Sequence, residues 1–178
     1  HVFEGLDEAV GVIAAELGVD RRELYASTDL AIYATTRATN AILEGATART
    51  ALLVTKGFRD TLVLRGGGKL RPFDFDEPFP EPYVPRRLTF EVVERVDAEG
   101  GVVTPLDEDA LAATLDRLAG LEVEAVAVCL LWSIVNPAHE LRVGELLSEH
   151  LPGVPFTLSH QLNPVMREYR RGSSTAID

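Results

Sequence analysis

Cysteine is almost missing from this chain of 178 residues, with Cys129 standing alone, so no internal disulfide can form and no set of thiolates can hold a metal. Cys129 lies inside an apolar run, where an inert buried thiol is expected rather than a nucleophile. Basic stretches are missing too. The formal net charge is −11, and no cluster of Lys and Arg is long enough to track phosphates, which excludes nucleic acid as a partner. The longest apolar run, Ala125 to Trp132, falls far short of the ~20 residues a membrane helix needs. No charged-then-apolar signal segment opens the chain, so no membrane partner is expected and the protein reads as cytoplasmic. What is present is ordinary globular material, 46% apolar and 25% charged. That suits one domain, or one large domain with an elaborated insertion.

Phe3, Leu6, Val10, Ile13 and Leu17 recur at helical spacing and Gly18 stands where the helix would stop. His1 opens the chain without an initiator Met, so the sequence is expected to be cut from a longer one. Leu30 to Ala34 is a strand candidate. Ala38 to Glu44 can wind as a short helix ended by Gly45. Thr50 to Thr55 reads as a strand covered on both faces, and Gly57 to Leu64 as the start of another helix.

From Gly66 to Pro85 the composition shifts to glycines, prolines and the aromatics Phe73, Phe75, Phe79 and Tyr83 among acids. Two readings stand side by side for this excursion: a functional loop, or aromatics packed against a neighbouring domain. Leu88 to Val96 and Val102-Val103, joined by Ala98-Glu99-Gly100-Gly101, predict an antiparallel hairpin. Asp107 caps a helix to about Ala119 with Leu111, Leu115 and Leu118 on its core face. A buried strand at Val123 to Leu131 follows. Asn136-Pro137 opens a helix to about Leu151, Phe156 to Ser159 is a further strand, and Asn163-Pro164 opens a last helix still running at Asp178. Together these predict an α/β domain: a mostly parallel sheet with helices on both faces and an inserted β-hairpin. Ligands in such sheets bind at the carboxyl ends of the strands.

After the first expected strand come Thr35, Thr36, Arg37, Thr39 and Asn40, where hydroxyls at a helix start cap free amides and, with arginine, could hold an anion. Plain capping explains the segment by itself. After the second come Lys56, Gly57, Arg59 and Asp60, a tight turn carrying cations that are solvated in the bland reading. Neither segment is a phosphate loop of the Gly-rich Lys-Ser/Thr kind. His139 reads as an ordinary surface residue in a first helical turn and His160 as a structural strand-end residue. No pair of histidines has metal spacing, so no metal site is expected. Arg167, Glu168, Tyr169 and Arg170 gather charge and a phenol near the chain's end, which a solvated helix end also explains.

In combination these segments carry more. Thr35-Thr36-x-Ala38-Thr39-Asn40-Ala41, Leu53-x-Thr55-Lys56-Gly57-Phe58-Arg59-Asp60, Pro85-Arg86-Arg87-Leu88, Glu94-Arg95, Ala125 to Leu131, Asn136-Pro137-x-His139-Glu140, Leu158-Ser159-His160 and Arg167-Glu168-Tyr169 stand in the order and spacing of one family. The chain resembles the N-terminal domain of hydantoinase A and oxoprolinase proteins, from about Glu4 onward; that family also includes the ATP-dependent acetone and acetophenone carboxylase subunits. The resemblance implies an actin-like (ribonuclease H-like) ATPase fold, present as a fragment open at both ends over residues 1–178, with an inserted loop and hairpin at about 66–104. It implies ATP with Mg2+ in the intact enzyme, used to phosphorylate a carbonyl or amide oxygen before hydrolysis or carboxylation.

Candidate nucleotide- or substrate-binding residues are then Thr35, Thr36, Thr39, Asn40, Lys56, Arg59, Asp60, Arg167 and Glu168, with no catalytic residue assigned. Two departures stand out. The Asp-x-Gly-Gly-Thr phosphate turn of the family is absent from this sequence, and Tyr33-Ala34 replaces the usual His-Gly. The second half of the nucleotide clamp is expected beyond Asp178, so the isolated chain is expected to be inactive and to hold no cofactor. The implied partners are the remainder of the same polypeptide, a hydantoinase B-type subunit or domain, and a small-molecule substrate. The leading expectation is part of an ATP-dependent hydantoin or lactam amidohydrolase. A ketone carboxylase subunit and a non-catalytic assembly module docking through Phe73 to Tyr83 are the alternatives.

Overall fold

A computed structural model describes residues 2–32, 36–67, 69, 71 and 73–178, which fall into two compact units, His1–Leu43 and Glu44–Asp178. The first unit is helical. Helix α1 (Val2–Leu17) ends as its sequence predicts, at Gly18, whose left-handed φ of 68° is open to glycine without a Cβ penalty. Helix α2 (Arg21–Ala26) starts on Asp20, whose side chain accepts from the Glu23 amide at 2.8 Å, and Arg21 reaches back to Asp7 of α1 at 2.5 Å. Gly11 lies beside that guanidinium, where an added Cβ would sit 2.6 Å from Arg21 Nη2, the end of a flexible side chain that can swing aside. Helix α3 (Arg37–Glu44) is the short helix expected before Gly45.

The strand expected at Leu30 to Ala34 is not formed by its described part. Leu30, Ala31 and Ile32 are irregular and exposed, and Tyr33 and Ala34 lie outside the described residues. A strand exists only through a neighbour's hydrogen bonds, and among the described residues these three take part in no strand pairing.

The second unit is built on a parallel sheet. Its elements in chain order are β1 (Thr50–Thr55), α4 (Thr61–Leu64), a 3-10 turn (Arg86–Leu88), β2 (Thr89–Val92), β3 (Arg95–Val96), β4 (Val102–Thr104), α5 (Glu108–Ala119), β5 (Ala125–Cys129), α6 (Ala138–His150), β6 (Phe156–Leu158), α7 (Ser159–Leu162) and α8 (Glu168–Ile177). The sheet order is β2-β1-β5-β6, parallel throughout, with Leu53 opposite Phe90 and Val128, and Ala127 opposite Thr157. Ala51 to Val54 and Val126 to Cys129 are buried along their whole length, as an apolar run must be when helices cover both faces. Each such Leu or Val removes ~1.5–3 kcal/mol worth of apolar surface from water. Helices α5 and α6 pack on each other and on β2, β5 and β6, while α8 packs on β5 and α4. Gly172 of α8 faces Cys129, whose Sγ would lie 3.5 Å from an added Cβ, an ordinary van der Waals separation.

The helix expected from Asp107 is formed, with the Asp107 side chain accepting from the Ala110 amide at 2.9 Å and Leu111, Leu115 and Leu118 buried. Asn136 opens α6 in two ways, accepting from the Ala138 amide and donating to Gly100 O at 2.8 Å. The expected hairpin is shorter than its β-rich sequence suggests. Only β3 and β4 pair antiparallel, around a turn in which Asp97 Oδ1 accepts from the Gly101 amide at 2.7 Å. Thr89 to Val92 instead joins the main sheet beside β1, because Thr89, Phe90 and Val92 have buried positions to fill there. Two helix starts also move. Gly57 to Asp60 is a loop before the brief α4, and Asn163-Pro164 lies between α7 and α8, not at the head of the last helix. In the excursion, Phe73 and Phe75 are 90% and 89% exposed. Gly68, Leu70 and Pro72 lie outside the described residues.

Candidate functional site

Strand ends at the carboxyl edge of the sheet bring two buried carboxylates together with hydroxyls and imidazoles. Thr55, the last residue of β1, accepts from the Leu131 amide at 2.9 Å and donates to Glu94 Oε1. Glu94 follows β2 in the chain, and its other oxygen takes Nδ1–H of His139 at 2.7 Å. One residue further along α6, Glu140 Oε1 accepts from the Leu130 amide at 2.8 Å and from the Ser159 hydroxyl at 2.6 Å. Its Oε2 accepts from the His160 amide at 3.1 Å and from His160 Nδ1 at 2.6 Å. Both carboxylate side chains are 0% exposed. Ser159 passes the network on: its oxygen also accepts from Arg171 Nε at 2.9 Å. The remaining nitrogens of that buried guanidinium donate to Leu130 O at 2.7 Å and Val165 O at 3.0 Å. A carboxylate and a guanidinium thus share one hydroxyl, with each group's hydrogen-bonding capacity engaged.

The loop after β1 is fastened to the 3-10 turn and to β2. Gly57 N donates to Glu91 Oε1 at 2.8 Å, Arg59 Nη2 donates to Arg86 O at 2.9 Å, and Arg86 Nε pairs with Asp60 at 2.5 Å. That hydrogen bond from Arg86 holds the Asp60 carboxyl below the usual carboxylate range, and Asp60 in turn raises the Arg86 guanidinium. Below the loop, burial pushes the Cys129 thiol up to about 11, partly offset by Arg171, so the inert reading of this cysteine matches its surroundings.

Between this loop and the head of α8 opens a cleft of about 520 Å³ lined by Phe58, Thr61, Leu64, Arg65, Gly66 and the run Arg167 to Arg170. The expected site residues therefore fall into separate sets. Arg167 and Glu168 line the cleft. Lys56 is exposed at the end of β1, and Arg59 and Asp60 turn toward Arg86. Thr36, Thr39 and Asn40 are exposed at the start of α3 in the first unit. Thr35 lies outside the described residues. His139, expected on the surface, is instead held against Glu94 with its side chain 12% exposed, because α6 carries it over the end of the sheet. Glu94, Glu140, Ser159 and Arg171 escaped the site reading. Glu94, Glu140 and Ser159 stand in segments that carry the family resemblance, but a charged residue read singly looks solvated, and nothing beside them in the sequence records their burial. Among the described residues no three His, Cys, Asp or Glu side chains gather as metal ligands, and no helix is long and apolar enough to cross a membrane.

A family model described as the hydantoinase/oxoprolinase N-terminal region matches residues 1–151. The chain is 36% identical to the caprolactamase subunit alpha of Pseudomonas jessenii, covering 93% of this chain and 24% of that one. It is 33% identical to the acetophenone carboxylase gamma subunit of Aromatoleum aromaticum, covering 98% of this chain and 26% of that one. The solved structure of the ATP-dependent caprolactamase from Pseudomonas jessenii superposes with a TM-score of 0.82 at 35% identity, over 96% of this chain and 25% of the other. The chain thus spans about a quarter of the length of these relatives.

Proposed function

This chain belongs to the hydantoinase/oxoprolinase family, and from that premise we propose that it is part of an ATP-dependent amidohydrolase opening a hydantoin or lactam ring, of the N-methylhydantoinase or oxoprolinase type. The observation that carries this reading is the likeness to the ATP-dependent caprolactamase in both sequence and fold. A ring amide resists hydrolysis because resonance makes its carbon a poor electrophile and its nitrogen a poor leaving group. Phosphorylating the oxygen would remove that resonance, so that water can add to the carbon, the C–N bond can break with the nitrogen leaving protonated as an amine, and the remaining acyl phosphate can yield acid and phosphate to a second water. ATP with Mg2+ would supply the phosphoryl group in the intact enzyme, and the arginines of the α8 cleft fit an anionic group of that kind.

Residues 1–178 then form the N-terminal domain of a longer polypeptide, with the loop and hairpin at about 66–104 inserted into it. Thr35, Thr36, Thr39, Asn40, Lys56, Arg59, Asp60, Arg167 and Glu168 are its proposed nucleotide- or substrate-binding residues. In this reading the enzyme is cytoplasmic, where ATP is at hand, and works with a hydantoinase B-type subunit.

The likeness to the acetophenone carboxylase gamma subunit favours a second reading, a ketone carboxylase. Bicarbonate separates the two. The intact complex is expected to consume ATP only with an organic substrate, from a panel of hydantoins, oxoproline, lactams and ketones, and to release a ring-opened acid equally well without bicarbonate. Labelled bicarbonate required for turnover and recovered in the product would replace hydrolysis with carboxylation. No substrate-dependent ATP consumption would leave an assembly module.

A further inference from the structure

The excursion between α4 and the 3-10 turn carries the most exposed large apolar side chains among the described residues. Phe73 and Phe75 stand 90% and 89% exposed, although an aromatic ring can remove ~150–250 Å² of surface from water when it is covered. Asp74, between them, holds the rings out. Its backbone N–H donates to Arg71 O at 3.0 Å, and its carbonyl accepts from Lys69 Nζ at 3.0 Å. Its carboxylate meets Arg71 Nη1 at 3.0 Å with one oxygen and accepts from the Asp76 amide at 3.2 Å with the other. With Asp74 turned inward and fixed through backbone and side chain, the rings on either side of it face solvent.

The brace continues below this tip. Arg71 also meets Glu77, with Nε 3.5 Å from Oε2 and its backbone N–H donating to the same oxygen at 3.1 Å. Lys69 lies 5.2 Å from the centre of the Phe79 ring, and Arg65 of α4 donates to Glu81 O at 3.1 Å. From Arg65 to Pro85 the chain holds the cations Arg65, Lys69 and Arg71 against the carboxylates Asp74, Asp76, Glu77 and Glu81. Arg71 answers Asp74 and Glu77, while Lys69 and Arg65 turn to backbone carbonyls. Asp76 and Glu81 are exposed and have no ion pair among the described residues. A loop ordered in this way before a partner arrives loses less conformational freedom on docking.

We propose that this tip docks on a second subunit, with Phe73 and Phe75 as anchors in an apolar pocket and Asp76 meeting a lysine or arginine at the pocket's rim. Aromatic anchors set among polar neighbours are the make-up of a binding hot spot. The charges interleaved with the rings suit an interface between separately folded chains, whereas a patch covered from the start by the same polypeptide would resemble a core and carry fewer of them. A second copy of this chain is the poorer occupant, because both copies would bring the same unpaired carboxylates and a net charge of −11. The proposal rests on the proposed function for the existence of that subunit and adds where it binds.

The intact polypeptide would be titrated calorimetrically with the hydantoinase B-type subunit, without ATP or substrate. The forms compared are wild type, Phe73→Ser/Phe75→Ser, Asp76→Asn, and Val103→Ser, an exposed valine of β4 serving as control. Wild type and the control should bind equally tightly, and more weakly as salt is added. The double variant should bind at least tenfold more weakly with an unchanged melting temperature, and Asp76→Asn should lose affinity by a smaller factor and respond less to salt. Hydroxyl-radical footprinting separates the occupants: both rings should be labelled in the intact polypeptide alone and protected once the subunit is added. Protection without the subunit would give the tip to the rest of its own chain if the polypeptide sediments as a monomer, and to a second copy if it sediments as a dimer. Either of those results, unchanged affinity in the double variant, or no binding by wild type would overturn the proposal. Because the titration involves no turnover, failure of hydrolysis leaves the docking standing, and failure of docking leaves the reaction to the bicarbonate experiment.

Discussion

Two groups of charges at one end of the sheet have opposite habits. Glu94, Glu140 and Arg171 are sealed from water with their hydrogen bonds engaged, whereas Arg167 and Arg170, on the same helix start as Arg171, stand exposed at the cleft. A buried charge is tolerated only when its surroundings answer it fully, so the sealed group fixes where the strand ends and α8 lie relative to one another. An exposed charge contributes little to stability and is free to meet a ligand. The difference separates scaffold from contact surface along a few residues of chain.

Glu140→Ala is the hardest test of that separation. It strips partners from the Leu130 and His160 amides and from Ser159, and leaves Arg171 without its shared hydroxyl bridge to a carboxylate. The loss should be about 3–5 kcal/mol, read from urea unfolding, while Arg167→Gln should stay within about 0.5 kcal/mol of wild type. Equal losses would erase the distinction between the two groups.

A smaller effect concerns Cys129, which lies beneath the sealed network with its thiol raised from an ordinary 9.0 to about 11. A group shifted this way carries about a hundredfold less thiolate near pH 8, and its burial blocks access as well. An aromatic disulfide reagent should therefore modify the native protein only as fast as it opens, with a rate that climbs with urea. Rapid modification without denaturant would mean that the α8 face of β5 opens easily and that the network does not hold it.

The same contrast explains what the amino-acid sequence disclosed. Ala51 to Val54 and Val126 to Cys129 announced themselves because a strand buried on both faces must be apolar throughout, and Asp107 and Gly18 because caps act within one turn of chain. Leu30 to Ile32 misled because β-formers become a strand only beside a partner. Thr89 to Val92 misled because its partner, β1, lies far back in the chain beyond a long excursion. Glu140 was illegible for a related reason. Its burial arises where the ends of β5 and β6 meet α6, and nothing adjacent to it in sequence records that meeting. The cleft was half legible: Arg167 and Glu168 stood out as a charged cluster, but Arg65 joins them only through the fold.

The smallest expected effect belongs to Asp60 and Arg86, a pair at the exposed loop that looks superficially like the buried ones. The hydrogen bond from Arg86 depresses the Asp60 carboxyl in the folded chain. A depressed carboxyl adds stability above its unfolded value and loses it as pH falls through the folded value, so the contribution is constant near neutrality and disappears only in acid. With the Asp60 side chain 45% exposed and Arg86 57% exposed, solvent screens the pair and the whole effect should stay below about 1 kcal/mol. Urea midpoints of wild type and Asp60→Asn at pH 6 and pH 3 would measure it. The variant should be slightly weaker at pH 6, and its deficit should be smaller at pH 3, because the contribution of a depressed carboxyl falls as pH drops below its unfolded value. A penalty of the same size at both pH values would show that Asp60 serves the loop by shape, and a penalty of several kcal/mol at pH 6 would place this pair with the sealed charges instead of the exposed ones.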